Sequence, residues 1–181
     1  DPASYRLSTV AVVVNLATGA VGGDAAGDSF VSIENLWGGQ AGDTLTGNSG
    51  VNSLQGDSGA DILNGGSGAD QLFGDSGADS LVGGSGADLM NGGDGFDIAD
   101  YLAATSGVTV GLNDGVAEAG DTLAAGDSVT FVEGVIGSNF VDTLIGDSGT
   151  NYMVGNDGND TLLSGAGADS LFGGLGDDFL G

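Results

Sequence analysis

Aspartate recurs at nine-residue intervals along much of this chain, within glycine-rich stretches that are typical of turns. The intervals run from Gly38 to Asp100 and again from Gly137 to Gly181. Carboxylate and carbonyl oxygens are the ligands that hard cations such as calcium prefer, and calcium takes about six to eight of them. A ladder of such turns therefore has the chemistry of a repeated cation site.

The twelve nine-residue units (nonapeptides) agree with one another column by column. The first and fourth positions are glycine, the sixth is aspartate, and the eighth is leucine or methionine. Glycine suits a backbone that must take positive φ and turn its carbonyls inward. The exceptions are Ser164 in the first column, Ala41 and Phe140 in the fourth, Asn52 and Asn151 in the sixth, and Ala99 in the eighth.

The charge balance of the chain limits the functions it can have. Of 181 residues, 39 are glycine and 26 are acidic, against the single arginine Arg6, which gives a net charge of −25. Such a charge repels nucleic acid and anionic membranes, and inorganic cations are the simplest means of neutralising it. Paired carboxylates also serve glycosidases, but an active site is singular whereas this ladder repeats. With no histidine, cysteine or lysine, the chain is predicted to be non-catalytic.

The segments before the two repeat blocks resemble each other. Residues 5–37 align with residues 101–136, with an offset of 96 residues at the start and 99 at the end, and 99 is eleven nines. Alternating valines in both copies predict strands. The aligned pairs include Tyr5 with Tyr101, Val12 with Val108, Val14 with Val110, Leu16 with Leu112, and Glu34 with Glu133.

These patterns divide the chain into four parts. We expect a β-rich spacer over residues 1–37, a block of seven nonapeptides over 38–100, a second β-rich spacer over 101–136, and a block of five nonapeptides over 137–181. Because Asp1 aligns with Asp97 inside a nonapeptide, we also expect the chain to be a segment of a longer array.

The nonapeptides match the pattern G-G-x-G-x-D-x-U-x, where U is a large apolar residue. In this the chain resembles the RTX, or haemolysin-type, calcium-binding repeats of toxins, serralysin-type proteases, alginate epimerases and adhesins. The resemblance implies an all-β fold, a right-handed parallel β-roll (β-solenoid). In such a roll the first six residues of each nonapeptide form a turn and the last three a strand. Two nonapeptides complete one coil, and position eight fills the core.

The resemblance also implies that calcium lies between turns eighteen residues apart, bound by position-six side chains and turn carbonyls. Up to about eight ions are expected. The stacked pairs are Asp43–Asp61, Asn52–Asp70, Asp61–Asp79, Asp70–Asp88, Asp79–Asp97, Asp142–Asp160, Asn151–Asp169 and Asp160–Asp178. The candidate carbonyl ligands are Gly56, Ser58, Gly65, Ser67, Gly74, Ser76, Gly77, Gly83, Gly84, Gly86, Gly93, Gly95, Gly155, Gly158, Gly165, Gly167, Gly174 and Gly176.

The function that follows from the resemblance is a calcium-dependent folding module of a secreted bacterial protein that leaves the cell by type I secretion. The alternative is a calcium-stiffened structural or adhesive repeat of a surface-layer protein or adhesin, or an accessory polysaccharide-binding module. The expected partners are calcium, neighbouring modules of the same parent chain and, in the alternative, a surface glycan, but neither nucleic acid nor a membrane. We expect Trp37 to be a core residue rather than a sugar platform, because it aligns with Ile136.

Overall fold

The computed structural model describes residues 1–112 and 124–181, and within them the chain forms strands and no helix. These residues accordingly contain no helix able to cross a membrane. Residues 113–123 of the second spacer lie outside the described part. The strands are β1 (Pro2–Ser4), β2 (Val12–Asn15), β3 (Ala20–Gly23), β4 (Asn35–Trp37), β5 (Thr44–Thr46), β6 (Ser53–Gln55), β7 (Ile62–Ser67), β8 (Gln71–Gly77), β9 (Ser80–Ser85), β10 (Leu89–Gly95), β11 (Ile98–Asp100), β12 (Thr109–Gly111), β13 (Ser128–Thr130), β14 (Gly134–Ile136), β15 (Thr143–Ile145), β16 (Tyr152–Asp157), β17 (Thr161–Leu163), β18 (Ser170–Leu175) and β19 (Phe179–Leu180).

The strands stack into three sheets. Sheet A has the order β1-β4-β6-β8-β10-β13, sheet B the order β18-β16-β14-β11-β9-β7-β5-β2-β3, and sheet C the order β12-β15-β17-β19. The described pairings are parallel, except that β2 and β3 form an antiparallel hairpin. Within each repeat block, successive strands alternate between opposite sheets, as two nonapeptides per coil require. The predicted all-β parallel β-roll is confirmed, with about eight turns.

The core is a narrow file of position-eight side chains between the sheets. Leu45, Leu63 and Leu81 of sheet B and Leu54 and Leu72 of sheet A are 0% exposed. Side chains alternate across a strand, so one residue of each three-residue strand points inward while its neighbours face solvent. Burying each leucine contributes about 1.5–3 kcal/mol.

The strands fall into short and long ones. Three-residue strands, as predicted from each nonapeptide, occur at β4, β5 and β6. In β7 to β10 pairing continues into the next turn, so that Gly66 pairs with Gly84 and Ser67 with Ser85. The stacked turns therefore share backbone hydrogen bonds as well as side-chain contacts.

The second spacer pairs with the last strands of the first block and with the first strands of the second block. Its strand β13 pairs with β10 of the preceding block, and β12 pairs with β15 of the following block. On the opposite side β14 pairs with both β11 and β16. Sheet B therefore runs through both blocks, whereas sheets A and C lie on either side of the spacer.

Candidate metal centre

The position-six side chains form a ladder inside the roll, referred to below as the aspartate ladder. From Asp43 to Asp160 they are no more than 2% exposed, and Asp169 and Asp178 are half-buried. In each stacked pair the backbone N–H of one residue donates to Oδ1 of the aspartate eighteen residues later, over 2.6–3.0 Å. The structure thus brings together all eight pairs that the sequence analysis considered.

The second carboxylate oxygen of many ladder residues has no partner. Oδ2 is buried and receives no hydrogen bond in Asp61, Asp70, Asp79, Asp88, Asp97 and Asp160. A buried acceptor without a donor is costly, and a buried charge without a partner is more so. These six oxygens therefore require a proton or a cation.

In five of these six nonapeptides the first glycine forms the floor of a small oxygen-lined cradle, whereas at Gly83 only the carboxyl of Asp88 is close. A Cβ on Gly56 would lie 2.1 Å from Asp61 Oδ2 and 2.8 Å from the carbonyl oxygen of Gly74 in the next turn. The glycine is required because the carboxylate occupies the space of a side chain. Two acceptor oxygens thus face one region with no donor between them, which is where a cation fits. The same arrangement recurs at Gly65, Gly74 and Gly155.

The remaining ligands would have to come from the backbone. In the part of the chain that the structure describes, no three histidine, cysteine, aspartate or glutamate side chains gather at one point. The side chains of Ser58, Ser67 and Ser76 are exposed, and Ser76 Oγ donates to Ser58 Oγ over 3.2 Å on the outside of the roll. These serines can therefore offer carbonyl oxygens but not hydroxyls to the interior.

Turn conformation separates the nonapeptides into two kinds. We define open turns as those with positive φ at the second and fourth positions, a conformation that favours glycine. At Gly86, with φ of 148°, a Cβ would lie 1.5 Å from the carbonyl oxygen of Gly68 in the turn before, so only glycine permits this stacking. The open turns are 56–61, 65–70, 74–79, 83–88, 92–97, 155–160, 164–169 and 173–178.

The first two turns of each block lack this conformation and are referred to below as closed turns. In them, protein donors already satisfy the position-six side chains. Asp43 accepts from the N–H groups of Val12 over 2.7 Å and Gly39 over 2.6 Å. Asp142 is bound in the same way by Val108 over 2.8 Å and Ser138 over 2.7 Å.

In the closed turns that carry asparagine, protein groups again satisfy the position-six side chain, but through other hydrogen bonds. Asn52 Oδ1 accepts from the N–H of Asn48 over 2.8 Å, and its amide donates to the carbonyl of Glu34 over 2.9 Å. Asn151 Oδ1 accepts from the N–H of Asp147 over 3.0 Å. Neither residue leaves a charge for a cation to neutralise.

Burial alters the acidity of the open-turn carboxyls. It raises the pKa of Asp61 to about 7 and that of Asp97 to about 6, and the N–H donated by the preceding turn offsets only part of the effect. Neighbouring aspartates raise both values further. The pKa values of Asp70, Asp79, Asp88 and Asp160 are raised for the same first reason.

Two spacer residues extend the ladder, and the sequence analysis assigned neither of them to it. Asp127 directly precedes β13 and accepts from the N–H of Asp88 over 2.8 Å. Glu133 directly precedes β14 and accepts from the N–H of Asp97 over 2.9 Å. The signal was present, since each acidic residue is followed by a three-residue strand as in a nonapeptide. The irregular spacing concealed it.

The residues outside the ladder have structural partners. Trp37 was predicted to be a core residue, but Leu36 of the same strand fills the core and Trp37 is only half-buried. The guanidinium of Arg6 lies 4.4 Å from the ring centroid of Trp37 and also forms a 3.0 Å ion pair with Asp57. The carboxylate of Asp75 accepts from the Gln55 amide over 2.6 Å. These position-two aspartates thus lie on the outer rim, apart from the buried ladder.

Comparison with known proteins agrees with this geometry. A family model described as the RTX calcium-binding nonapeptide repeat matches the chain in four copies, over residues 37–72, 65–99, 136–171 and 145–180. Together these copies span both repeat blocks and leave out most of each spacer. No curated protein matches the chain.

Proposed function

The chain belongs to the RTX calcium-binding nonapeptide repeat family, and we propose that it is a calcium-binding β-roll whose folding depends on the ion. The observation that carries this proposal is the set of six buried, unpartnered Oδ2 atoms in the open turns. A structural carboxylate that serves only as a turn former would be satisfied by protein donors, as Asp43 is. Calcium supplies the positive charge that these oxygens lack.

Repulsion between the buried carboxylates explains why folding should require the ion. Two carboxylates about 5 Å apart repel each other by about 3 kcal/mol at an effective dielectric of 20. The ladder places several such charges in register within a core only one leucine wide. When a cation neutralises them, its binding free energy becomes folding free energy.

The ligand set that we propose differs between open and closed turns. In open turns the carboxylates of Asp61, Asp70, Asp79 and Asp160 would bind calcium together with the first-position carbonyls of the following turns. Asp169 and Asp178 are half-buried counterparts at the end of the ladder. In the closed turns Asp43, Asn52, Asp142 and Asn151 would hold the stack through N–H groups instead. The middle of the first block then has the strongest sites, where open turns stack on open turns.

Circular dichroism during a calcium titration of EDTA-treated protein tests the proposal, with magnesium as the control ion. We expect a cooperative rise in β signal with calcium and not with magnesium, because magnesium demands a stricter octahedral geometry and gives up its water reluctantly. Full β structure in EDTA that calcium leaves unchanged would refute calcium-dependent folding.

We further propose that the chain works outside the cell, as part of a secreted bacterial protein. The net charge of −25 keeps the metal-free chain extended and soluble, which suits passage through a type I channel in calcium-poor surroundings. Folding would then follow in calcium-rich surroundings. A titration midpoint in the high-micromolar to millimolar range supports this view, and a nanomolar midpoint contradicts it. We assign the module no reaction of its own.

A second candidate, a module that also contacts a surface glycan, is supported by a row of aromatic rings on and beside sheet B. Phe96, Tyr152 and Phe172 form a row of aromatic rings, with centroids 6.5 Å and 5.4 Å apart. Phe96 is 41% and Phe172 52% exposed. A glycan array probed in calcium distinguishes the candidates, since binding lost on Phe172→Ser would favour an adhesive or accessory role.

A further inference from the structure

The aspartate ladder of the first block continues beyond the last nonapeptide. Asp97 is 0% exposed and its Oδ2 has no partner. No nonapeptide follows directly in the sequence, because residues 101–136 form the spacer. Glu133 instead takes the place of a position-six residue: its Oε2 accepts from the N–H of Asp97 over 2.9 Å, as Oδ1 of a stacked aspartate does elsewhere.

The carbonyl that completes the cradle also comes from the spacer. A Cβ on Gly92 would lie 2.1 Å from the carbonyl oxygen of Phe131 and 2.5 Å from Asp97 Oδ2. In the regular cradle at Gly74 the corresponding oxygens, those of Gly92 and Asp79, lie at 2.5 and 2.3 Å. The spacer thus places a carbonyl where the first-position carbonyl of a stacked turn lies elsewhere in the ladder.

The backbone of Phe131 supports this interpretation. Phe131 has φ of 53°, a left-handed conformation that is unfavourable for a bulky residue. Its ring is 63% exposed, so packing of the side chain does not account for the strain. The conformation instead directs its carbonyl toward the turn at residues 92–97, where it also accepts from the N–H of Gly93 over 3.2 Å.

The neighbouring column ends differently. There Asp127 takes the place of a stacked aspartate, but its Oδ2 already accepts from the Tyr101 hydroxyl over 3.1 Å. The space above Gly83 contains Asp88 Oδ2, and no spacer carbonyl is among its nearest atoms. The two columns therefore differ in that a spacer carbonyl lies beside the Asp97 carboxylate, whereas none lies beside that of Asp88.

We propose that Glu133 and the carbonyl of Phe131 complete a calcium site with Asp97, within the spacer and beyond the residues that the family pattern describes. This inference rests on the proposed function, because it assumes that open turns bind calcium. The proposed site would add one calcium ion to those bound between stacked nonapeptides. The spacer would then supply ligands as well as connect the two blocks.

The test is the number of calcium ions bound per chain, measured by isothermal titration calorimetry on the 181-residue protein and on Glu133→Gln. Glutamine keeps an oxygen to accept the Asp97 N–H but lacks the charge. We expect Glu133→Gln to bind one ion fewer while the other ions keep their affinity. Phe131→Gly should retain the ion, because the ligand is a backbone carbonyl and glycine adopts positive φ readily.

Glu34→Gln is the matched control, since Glu34 holds the equivalent place in the first spacer. Its Oε2 bonds to the N-terminal ammonium of Asp1, and no turn cradle lies beside that residue in the 181-residue protein. Its ion count should equal that of the unchanged protein. An unchanged count and affinity in Glu133→Gln would overturn the inference, while the unchanged protein would still show whether calcium binds at all.

Glu133→Gln could fail to fold fully, with a β signal at saturating calcium below that of the unchanged protein. Hydrogen exchange on the unchanged protein then tests the same inference. In the unchanged protein, amides of spacer residues 131–134 should become protected over the same calcium range as those of residues 74–79. Exchange of residues 131–134 that stays insensitive to calcium, while that of residues 74–79 responds, would equally overturn the inference.

Discussion

Each aspartate of the open turns uses its two oxygens differently. In Asp79, Oδ1 accepts the N–H of Asp61 over 2.8 Å and holds two turns together, while Oδ2 has no partner and faces a cradle of oxygens. Replacement by asparagine separates these roles, because it keeps the first acceptor and removes the charge from the second. The stacking and cation-binding contributions can therefore be measured one at a time.

We expect Asp79→Asn to bind fewer calcium ions and to raise the calcium midpoint of folding several-fold, because an uncharged amide is a weaker calcium ligand than a carboxylate. Calorimetry gives the ion count and circular dichroism the midpoint. Asn52→Asp is the opposite change in a closed turn, and should add no ion because this turn lacks the positive φ at its second and fourth positions that defines an open turn. An extra ion in Asn52→Asp would show that closed turns also bind.

Asp157→Asn controls for net charge alone. Asp157 is exposed on the outer rim, so its loss should leave both the ion count and the midpoint close to their original values. A midpoint shift as large as that of Asp79→Asn would mean that overall charge, and not the ladder, sets the response.

Gly86→Ala tests the close approach of stacked turns. Strain at φ of 148° alone should lower the free energy of unfolding by about 1–3 kcal/mol, and the overlap with the Gly68 carbonyl adds to it. Urea denaturation in saturating calcium measures the effect. Gly50→Ala, whose Cβ would meet only Asn48 Oδ1 at 3.3 Å, should be far milder.

The repeat pattern could predict which residues stack, but not which of them need a cation. Asp43 and Asp61 occupy the same column and look alike in sequence. They differ because the N–H groups of Val12 and Gly39 satisfy Asp43, and Val12 lies thirty-one residues away in the spacer. A nine-residue period gives no information about a donor that is so distant in the sequence.

At the level of the strands, the spacer forms a cap whose central contact is a tyrosine–aspartate pair. Tyr101 is 2% exposed and its hydroxyl donates to the fully buried Asp127. Tyr5 donates in the same way to Asp28, the aligned residue of the first spacer. The alignment of Tyr5 with Tyr101 thus reflects a shared contact, in which each hydroxyl is a partner for a carboxylate.

Removal of this hydroxyl in Tyr101→Phe should destabilise the protein by about 1–3 kcal/mol, because the buried Asp127 loses a donor. Thermal or urea unfolding in saturating calcium measures the loss. Tyr5→Phe is the matched control and should have a smaller effect, since Asp28 is exposed to water. Equal effects of the two substitutions would argue against burial as the cause.

The strands of the spacers were predictable, but their partners were not. The alternation at Val12, Val14 and Val110 indicated strands, and β2 and β12 are found there. The pairing of β13 with the block before it and of β12 with the block after it depends on contacts across dozens of residues. Neither β13 nor its acidic neighbour Asp127 follows the period that identified the other strands.

Across the whole molecule, the buried carboxyls tie stability to pH. Their pKa values in the folded state, about 7 for Asp61 and Asp127 and about 6 for Asp97, exceed the ordinary value of 3.8. The folded protein therefore binds more protons than the unfolded chain, and its stability without calcium is lost as pH rises from about 4 to about 7.

We therefore expect acid to substitute in part for calcium. In EDTA, the β signal should increase when pH falls from about 8 to about 5, whereas in limiting calcium the same acidification should weaken binding because protons compete for the same oxygens. Circular dichroism at several pH values measures both effects. A metal-free chain that gains structure only as pH rises would contradict the assigned cause.

The continuity of sheet B has a mechanical consequence. At the spacer one wall of the roll is unbroken, because β14 joins β11 to β16, while the facing wall changes from sheet A to sheet C. A tube with one continuous and one interrupted wall bends most easily about the continuous wall. The second spacer would then act as a hinge between the two repeat blocks, and under tension the angle between the blocks would change before either block unfolds.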